Sequence, residues 1–279
     1  MAGTLYLCAT PIGNLDDITL RVLDTLKKVD IVAAEDTRHT MGLLNHFGIK
    51  ASLTSYHEHN KYDKARVLAD ELLEGKDIAL VTDAGTPGIS DPGEELVRLC
   101  NEEGIHVTSL PGASAVITAL SMSGLSSRRF VFEGFLEQDK KERRAALGRI
   151  ADESRTIVIY EAPHRIVRTL SELYEVLGDR QIRICRELTK IHEEVMAFTV
   201  SEALEYFNKN EPRGEMVVII EGISSDQAKA AASAQWEALT IAEHVEKYIS
   251  EGMSEKDAMK KAAADRGISR RDIYKEIKT

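Results

Sequence analysis

The chain has 279 residues, of which 43% are hydrophobic and 29% charged, with a formal net charge of −10. This is ordinary globular composition with room for a sizeable core and about two domains; the acidity excludes a uniformly basic nucleic-acid coat but allows a local basic patch. Cys8, Cys100 and Cys185 are scattered and odd in number, which points to reduced thiols of a soluble cytoplasmic protein and away from a disulfide frame or a zinc site.

The N-terminus lacks a basic segment and a long apolar run, so Leu5–Cys8 is expected as a first strand and not as part of a signal peptide. Thr19–Val29 is predicted as a helix carrying Val22, Leu23, Leu26 and Val29 on its apolar face. Asp30–Ala34 follows as a strand, Thr40–Phe47 as a short helix closed by Gly48, and Lys61–Leu73 as a helix ended by Gly75. Ile78–Val81 reads as a buried strand. The helix after it is expected from Pro92 to Glu103, with Asp91 as its N-cap. His106–Leu110 is a further strand, and a helix from about Pro111 to Met122 comes next.

The alternation then restarts. Phe130–Glu133, Thr156–Tyr160, Ile182–Arg186, Val195–Val200 and Glu215–Glu221 are predicted strands. Lys140–Ile150, His164–Leu177 and Ser201–Asn208 are predicted helices. Its apolar runs, Thr156–Tyr160 and Met216–Ile220, are far too short to span a bilayer. Such βα alternation implies mostly parallel sheets covered by helices. The expected organisation is an N-terminal α/β domain over residues 1–118, a second over 119–224, and a Ser/Ala/Gln-rich linker over 225–236. A helix-turn-helix-like domain is expected over 237–279, where Ser254 and Ser269 start helices and Gly267 interrupts them. Lys256, Lys260, Lys261, Arg266, Arg270, Arg271, Lys275 and Lys278 make this tail a candidate RNA contact, against the alternative of a solvated small bundle.

The motifs sit at strand ends. Thr82-Asp83-Ala84-Gly85-Thr86-Pro87 opens a loop to Gly93 in which three glycines allow unusual backbone and two prolines stiffen it. A strand-to-helix loop of this kind is where open α/β sheets bind ligands. Cys8–Asn14 forms a compact first loop with neither the G-x-G-x-x-G nor the P-loop signature. Leu110-Pro111-Gly112-Ala113-Ser114-Ala115 places small residues and backbone N–H groups at a helix start, where an anion is favoured; the alternative is a plain helix start capped by Ser114. Charged groups crowd the strand ends at Glu35–Thr40, Tyr160–Arg165, Arg186–Glu194 and Arg213–Glu215. Their convergence on one crevice points to a site between the two units. His57-Glu58-His59 shows no third ligand, and no metal is expected.

Thr10-Pro11-Ile12-Gly13-Asn14, Ala34–His39, Asp83–Pro87, Leu110–Gly112, Tyr160-Glu161, Arg186–Lys190 and Arg213–Met216 occur in an order that resembles the tetrapyrrole methylase superfamily, and within it the rRNA-modifying branch. The resemblance covers residues 3–222, and the basic tail is similar to that branch's C-terminal domain. It implies two tetrapyrrole-methylase-type α/β domains with an S-adenosylmethionine cleft between them, and a homodimer. It further implies 2′-O-methylation of a decoding-centre cytidine in 16S rRNA of the small ribosomal subunit. Carried over by motif, the cofactor contacts are Pro11, Ile12, Gly85, Thr86, Pro87, Ile89, Ser114, Ala115, Glu161, Leu188 and Met216. Thr86 stands where many tetrapyrrole methylases have an aspartate, which disfavours a porphyrin-like substrate.

In such a reaction a ribose hydroxyl attacks an already activated methyl group, so alignment supplies much of the acceleration and the proton needs an acceptor. Asp36 or Glu187 is the expected base, with Arg38, His39 and Lys190 positioning phosphate or stabilising the oxyanion. Asp83 is expected to shape its loop. The alternatives are a tetrapyrrole C-methyltransferase, which Thr86 and the tail disfavour, and a SAM-binding regulator without turnover, for which the charged 35–39 loop is superfluous.

Overall fold

The computed structural model describes residues 1–224, 236 and 239–277. The expected linker, apart from Trp236, lies outside the described residues, as does Lys278.

The first sheet is parallel and has the order β3-β2-β4-β1-β5, from β1 (Thr4–Cys8), β2 (Ile31–Ala34), β3 (Leu53–Ser55), β4 (Ile78–Val81) and β5 (His106–Leu110). Strand alternation sends Ile78 and Leu80 to one face and Ala79 and Val81 to the other, and all four are buried. One face packs on α3 (Lys61–Leu73) and α4 (Glu94–Glu102) through Leu68, Leu72, Leu96 and Cys100. The opposite face packs on α1 (Leu20–Leu26) and α2 (Thr37–His46) through Val22, Leu26 and Leu44. The three-residue edge strand β3 is not foreseen from the sequence. It is too short for alternation to show.

The second sheet has the order β6-β7-β10-β8-β9, from β6 (Phe130–Phe135), β7 (Thr156–Glu161), β8 (Gln181–Arg186), β9 (Glu194–Thr199) and β10 (Met216–Ile220). It is mixed rather than mostly parallel: β10 runs antiparallel to both neighbours, and β8 pairs antiparallel with β9. The short link between β8 and β9 leaves no room for the helical crossover that a parallel pair requires. Met216, Val218 and Ile220 face a core built with α6 (Lys140–Ile150), α7 (Ile166–Leu177) and α8 (Val200–Lys209).

Val217 and Ile219 face the other way, onto Val116, Ala119 and Leu120 of α5 (Ala115–Met122). The expected boundary at 118/119 therefore falls inside a continuous helix. That helix leaves the first sheet and covers the second. It fixes how the two units meet.

The tail folds as α9 (Ile241–Ser250), α10 (Glu255–Asp265) and α11 (Arg270–Ile277) around Val245, Tyr248, Ala258, Met259, Ala262 and Ile273. Ser254 and Ser269 accept the backbone N–H groups of Asp257 and Asp272, as start signals should. Arg266 belongs to this core and not to a basic face. Its Nε donates to His244 Nδ1 at 3.0 Å, and its Nη2 donates to the carbonyls of Trp236 and Leu239 at 2.8 and 2.5 Å. Lys261 lies over the Tyr248 ring at 4.6 Å.

Among the described residues no helix is long and apolar enough to cross a membrane. Burial pushes the Cys8 thiol up to about 12 and those of Cys100 and Cys185 up to about 11, so all three are packing groups.

Candidate active site

The carboxyl ends of β1, β4 and β5 bring three loops to one side of the first sheet. A backbone bridge joins two of them: Thr10 N–H donates to Gly85 O at 2.9 Å, and Gly85 N–H donates to Thr10 O at 3.1 Å. Gly85 has φ +86, which a side chain would strain. The Thr86 hydroxyl donates to Ala113 O at 3.1 Å and ties in the third loop.

Opposite stands the β8–β9 turn. Gly13 packs so closely on it that a Cβ would lie 2.7 Å from Lys190 Cγ and 2.8 Å from Leu188 O. Asn14 N–H donates to Thr189 Oγ1 at 3.0 Å. These contacts set the width of a cleft of about 520 Å³. Among the described residues, the non-glycines with positive φ are Ser90 (63°), Glu187 (51°) and Thr189 (66°), and all three lie in loops bordering this cleft. Backbone held this way persists only where its surroundings over-determine it, and it concentrates at functional sites.

Of the expected cofactor contacts, Ile12, Gly85, Thr86, Ile89, Ser114 and Ala115 line the cleft from the first loops and the start of α5. Leu188 and Met216 line it from the second domain, together with Glu187 and Lys190. Ser114 occupies the N-cap position of α5 but makes no capping bond with its side chain, unlike the plain-cap alternative.

Three expected contacts stand elsewhere. Pro11 is not part of the lining, and Pro87 is buried behind its loop, where it lines a second groove with Leu7 and Val97. Glu161 is fully buried inside the second domain. It accepts from Ala162 N–H at 2.8 Å and from the Thr169 hydroxyl, with Arg165 at 3.4 Å and the equally buried Arg143 at 3.9 Å. A buried carboxylate needs such partners, and they hold it in the domain's own frame.

The 35–39 segment also differs from expectation. Asp36 is not a loop residue: it caps α2 by accepting from Arg38 N–H at 2.8 Å. Its second oxygen pairs with Arg38 Nη2 at 2.8 Å, and these bonds hold its carboxyl down at about 2. That makes Asp36 a poor proton acceptor. Arg38, with a side chain 90% exposed, and the exposed His39 lie outside the cleft lining.

Glu35, Asp91, Tyr160 and Glu215 line the cleft although the sequence assigns none of them a part in the chemistry. Glu35, Asp83, Asp91, Glu187 and Glu215 line it with carboxylates, and Lys190, bonded to Glu187 at 3.0 Å, is the one cation in that lining. The Thr82 hydroxyl donates to Glu35 at 2.8 Å, and Asp36 N–H donates to Asp83 at 3.1 Å. Burial first, then the charge of Glu35, pushes the Asp91 carboxyl up to about 7. Burial likewise pushes the Tyr160 hydroxyl up to about 12. A signal for these groups existed, since Glu35, Asp83 and Tyr160 all stand at strand ends. Asp91 was masked by its resemblance to a helix cap. The helix in fact starts at Glu94, after Gly93.

The cleft thus has an apolar wall of Ile12, Leu188 and Met216 and a strongly acidic side. It suits a cationic ligand with an apolar body better than a polyanion.

The family model for tetrapyrrole (corrin/porphyrin) methylases matches residues 4–204. Ribosomal RNA small subunit methyltransferase I from Halalkalibacterium halodurans is 49% identical over 272 residues, covering 98% of this chain and 93% of that protein. The protein of the same name from Escherichia coli O157:H7 is 51% identical over 235 residues, covering 83% and 82%. In fold, the chain is similar to uroporphyrin-III C-methyltransferase from Thermus thermophilus complexed with S-adenyl homocysteine, with TM-score 0.57, 20% identity and coverage of 78% and 97%. A conserved hypothetical protein from Aeropyrum pernix K1 superposes with TM-score 0.63 at 17% identity, covering 97% of this chain and 91% of that one.

Proposed function

Because the chain belongs to the tetrapyrrole methylase family and has relatives 49% identical along nearly its whole length, we propose that it methylates the ribose 2′-oxygen of a decoding-centre cytidine in 16S rRNA of the small ribosomal subunit. It is an S-adenosylmethionine-dependent methyltransferase. The observation that carries the proposal is the cleft. Motifs scattered from Ile12 to Met216 converge on one acidic, partly apolar cavity at the carboxyl ends of parallel strands.

The residues present fit the methyl donor. Ile12, Leu188 and Met216 offer apolar surface for an adenine ring, and the carboxylates of Glu35, Asp83 and Glu215 offset the charge of a sulfonium and an ammonium group. A volume of about 520 Å³ suits a ligand of that size. Bound there, S-adenosylmethionine supplies a methyl group that is already activated. The chain's own work is then to fix the cleft width through Gly13 and Thr189, to orient the ribose and to accept a proton. Arg38, His39 and Lys190 act as phosphate clamps, which suits the exposure of the first two and the place of Lys190 at the cleft. The α9–α11 bundle acts as a separate RNA-contacting module, with Lys256, Lys260, Arg270 and Arg271 in place of Arg266. The protein works in the cytoplasm as a homodimer, a state supported by exposed Ile117 and Met122 on α5.

Incubation with labelled S-adenosylmethionine and 30S subunits lacking the modification tests this, followed by nucleoside analysis of the 16S rRNA. Label in 2′-O-methylcytidine is expected. Label on a pyrimidine base would leave a methyltransferase but overturn the 2′-O assignment. Binding of the donor with no label in rRNA would favour a regulator without turnover.

A further inference from the structure

Methylation of a hydroxyl releases a proton, and the carboxylates of the cleft differ sharply in their fitness to take it. Glu35 accepts the Thr82 hydroxyl, Asp83 accepts the Asp36 N–H, and Glu187 is paired with Lys190. Each of these three carboxylates is thus already engaged by a donor of the protein. Glu215 is exposed, where water competes for it. Asp91 is half-buried; α4 is capped at Gly93, so no helix N–H ties its carboxylate down, and the Thr82 hydroxyl within its reach is shared with Glu35.

The position of Asp91 is also held. Ser90 before it has φ +63, and Pro92 after it has a fixed φ. Ser90 Oγ lies against Gly134 of β6 so tightly that a Cβ there would be 2.9 Å away. A strained residue of the first domain is thus wedged on the second, next to a carboxylate that faces the cavity.

Resting on the methyl-transfer reading above, we propose that Asp91 is the general base that takes the 2′-hydroxyl proton of the ribose. The ribose oxygen forms its bond to the methyl carbon as the bond from that carbon to sulfur breaks. The electron pair stays on sulfur, which becomes a neutral thioether, and the proton goes to Asp91 and then to solvent. Glu35 and Asp83 of the first domain and Glu215 of the second face Asp91, and their charges oppose its ionisation. Tyr160 stands across the cleft, and the Thr82 side chain acts in the opposite sense to the carboxylates. Burial is the largest influence, and the carboxyl ionises near pH 7 instead of near 4. A base matched in this way to the working pH is ionised often enough to act and basic enough to pull.

The test uses the full-length protein and its Asp91→Asn, Asp91→Glu and Glu215→Gln variants on 30S subunits lacking the modification, from pH 5.5 to 9. Donor affinity is measured by calorimetry, and the aspartate carboxyls are titrated by 13C NMR. Asp91→Asn is expected to lower kcat by about 10²- to 10⁴-fold with donor Kd unchanged within about threefold. Its residual activity should lose the wild-type decline below about pH 7, and one aspartate resonance titrating near 7 should vanish. Asp91→Glu should keep a displaced limb and part of the rate. An Asp91→Asn enzyme that retains the limb, or a limb lost in Glu215→Gln, overturns the assignment. A wild-type protein that transfers no methyl to 30S subunits refutes the methyl-transfer reading itself, and Asp91 as base falls with it. An active wild type with an equally active Asp91→Asn refutes only the base.

Discussion

Replacing Gly13 by alanine probes whether one close contact sets the working width of the cleft. The new Cβ would stand 2.7 Å from Lys190 Cγ, 2.8 Å from Leu188 O and 2.9 Å from Thr189 Oγ1. Lys190 Cγ can swing aside, but the Leu188 carbonyl is backbone in a turn with two residues at positive φ, so it moves only with the turn. That displacement strains the Asn14–Thr189 hydrogen bond and shifts Leu188, which lines the cleft on the same apolar wall as Ile12. Overpacking of this kind costs about 1–3 kcal/mol. If the strain is relieved by opening the cleft, donor affinity falls by about 5- to 140-fold, since 1.4 kcal/mol is a factor of ten. Calorimetric titration with S-adenosylmethionine measures it, with Gly48→Ala as the control. Gly48 also has an unfavourable φ of +64 for a side chain, but nothing lies within 4 Å of its Cβ position. That variant should lose about 1–2 kcal/mol of stability and keep its donor affinity. Wild-type affinity in Gly13→Ala would refute the idea that this contact sets the cleft.

Glu161→Ala should destabilise the second domain by about 1–3 kcal/mol, because it leaves the Ala162 N–H and the buried Thr169 hydroxyl without their acceptor, while Arg143 keeps its pair with Glu172. In urea melts that loss should appear with donor affinity nearly intact below the transition; a lost affinity with unchanged melting would restore Glu161 as a direct contact. Arg38→Ala should weaken 16S rRNA binding and reduce its log–log salt slope by about 0.7–0.9 without touching donor affinity. An unchanged slope removes Arg38 from the phosphate contacts. Asp91 also makes stability depend on pH. Its carboxyl is raised from 3.8 to about 7 on folding, so its favourable contribution is complete below about pH 4 and is lost as pH rises through 7. Asp91→Asn should therefore gain on wild type between these limits. The bound from the shift is about 4 kcal/mol, which solvent in the open cleft screens to ~1–2 kcal/mol. Urea melts from pH 4 to 8 read this directly, and an asparagine variant less stable than wild type at pH 8 contradicts it.

The helices and longer strands were legible because their signals are local. Ser254 and Ser269 open helices through bonds three residues away, and the Ile78–Val81 run is buried on both faces as a continuous apolar strand should be. The direction of β10 was not legible. Nothing in Met216–Ile220 distinguishes parallel from antiparallel neighbours, because both bury the same apolar residues. The course of α5 was hidden for a similar reason. Its apolar residues require a sheet to cover, but the sequence does not say which, and they cover the second.

The site divides along the same line. Motif order placed the loops correctly at the cleft, since a glycine with φ +86 or a loop after a parallel strand is a property of the local chain. The roles of individual carboxylates were beyond it, because a carboxylate's chemistry is set by partners far away in sequence. Glu161 and Asp91 show this. From the sequence, Glu161 at a strand end is expected to touch the cofactor and Asp91 to cap a helix. Glu161 meets Thr169, Arg165 and Arg143 and becomes a buried structural anion. Asp91 is half-buried and meets other carboxylates across a cavity, and its carboxyl is pushed up to about 7. Position within a motif marks which residues surround the reaction; only the charges brought against each one decide whether it anchors the fold or moves a proton.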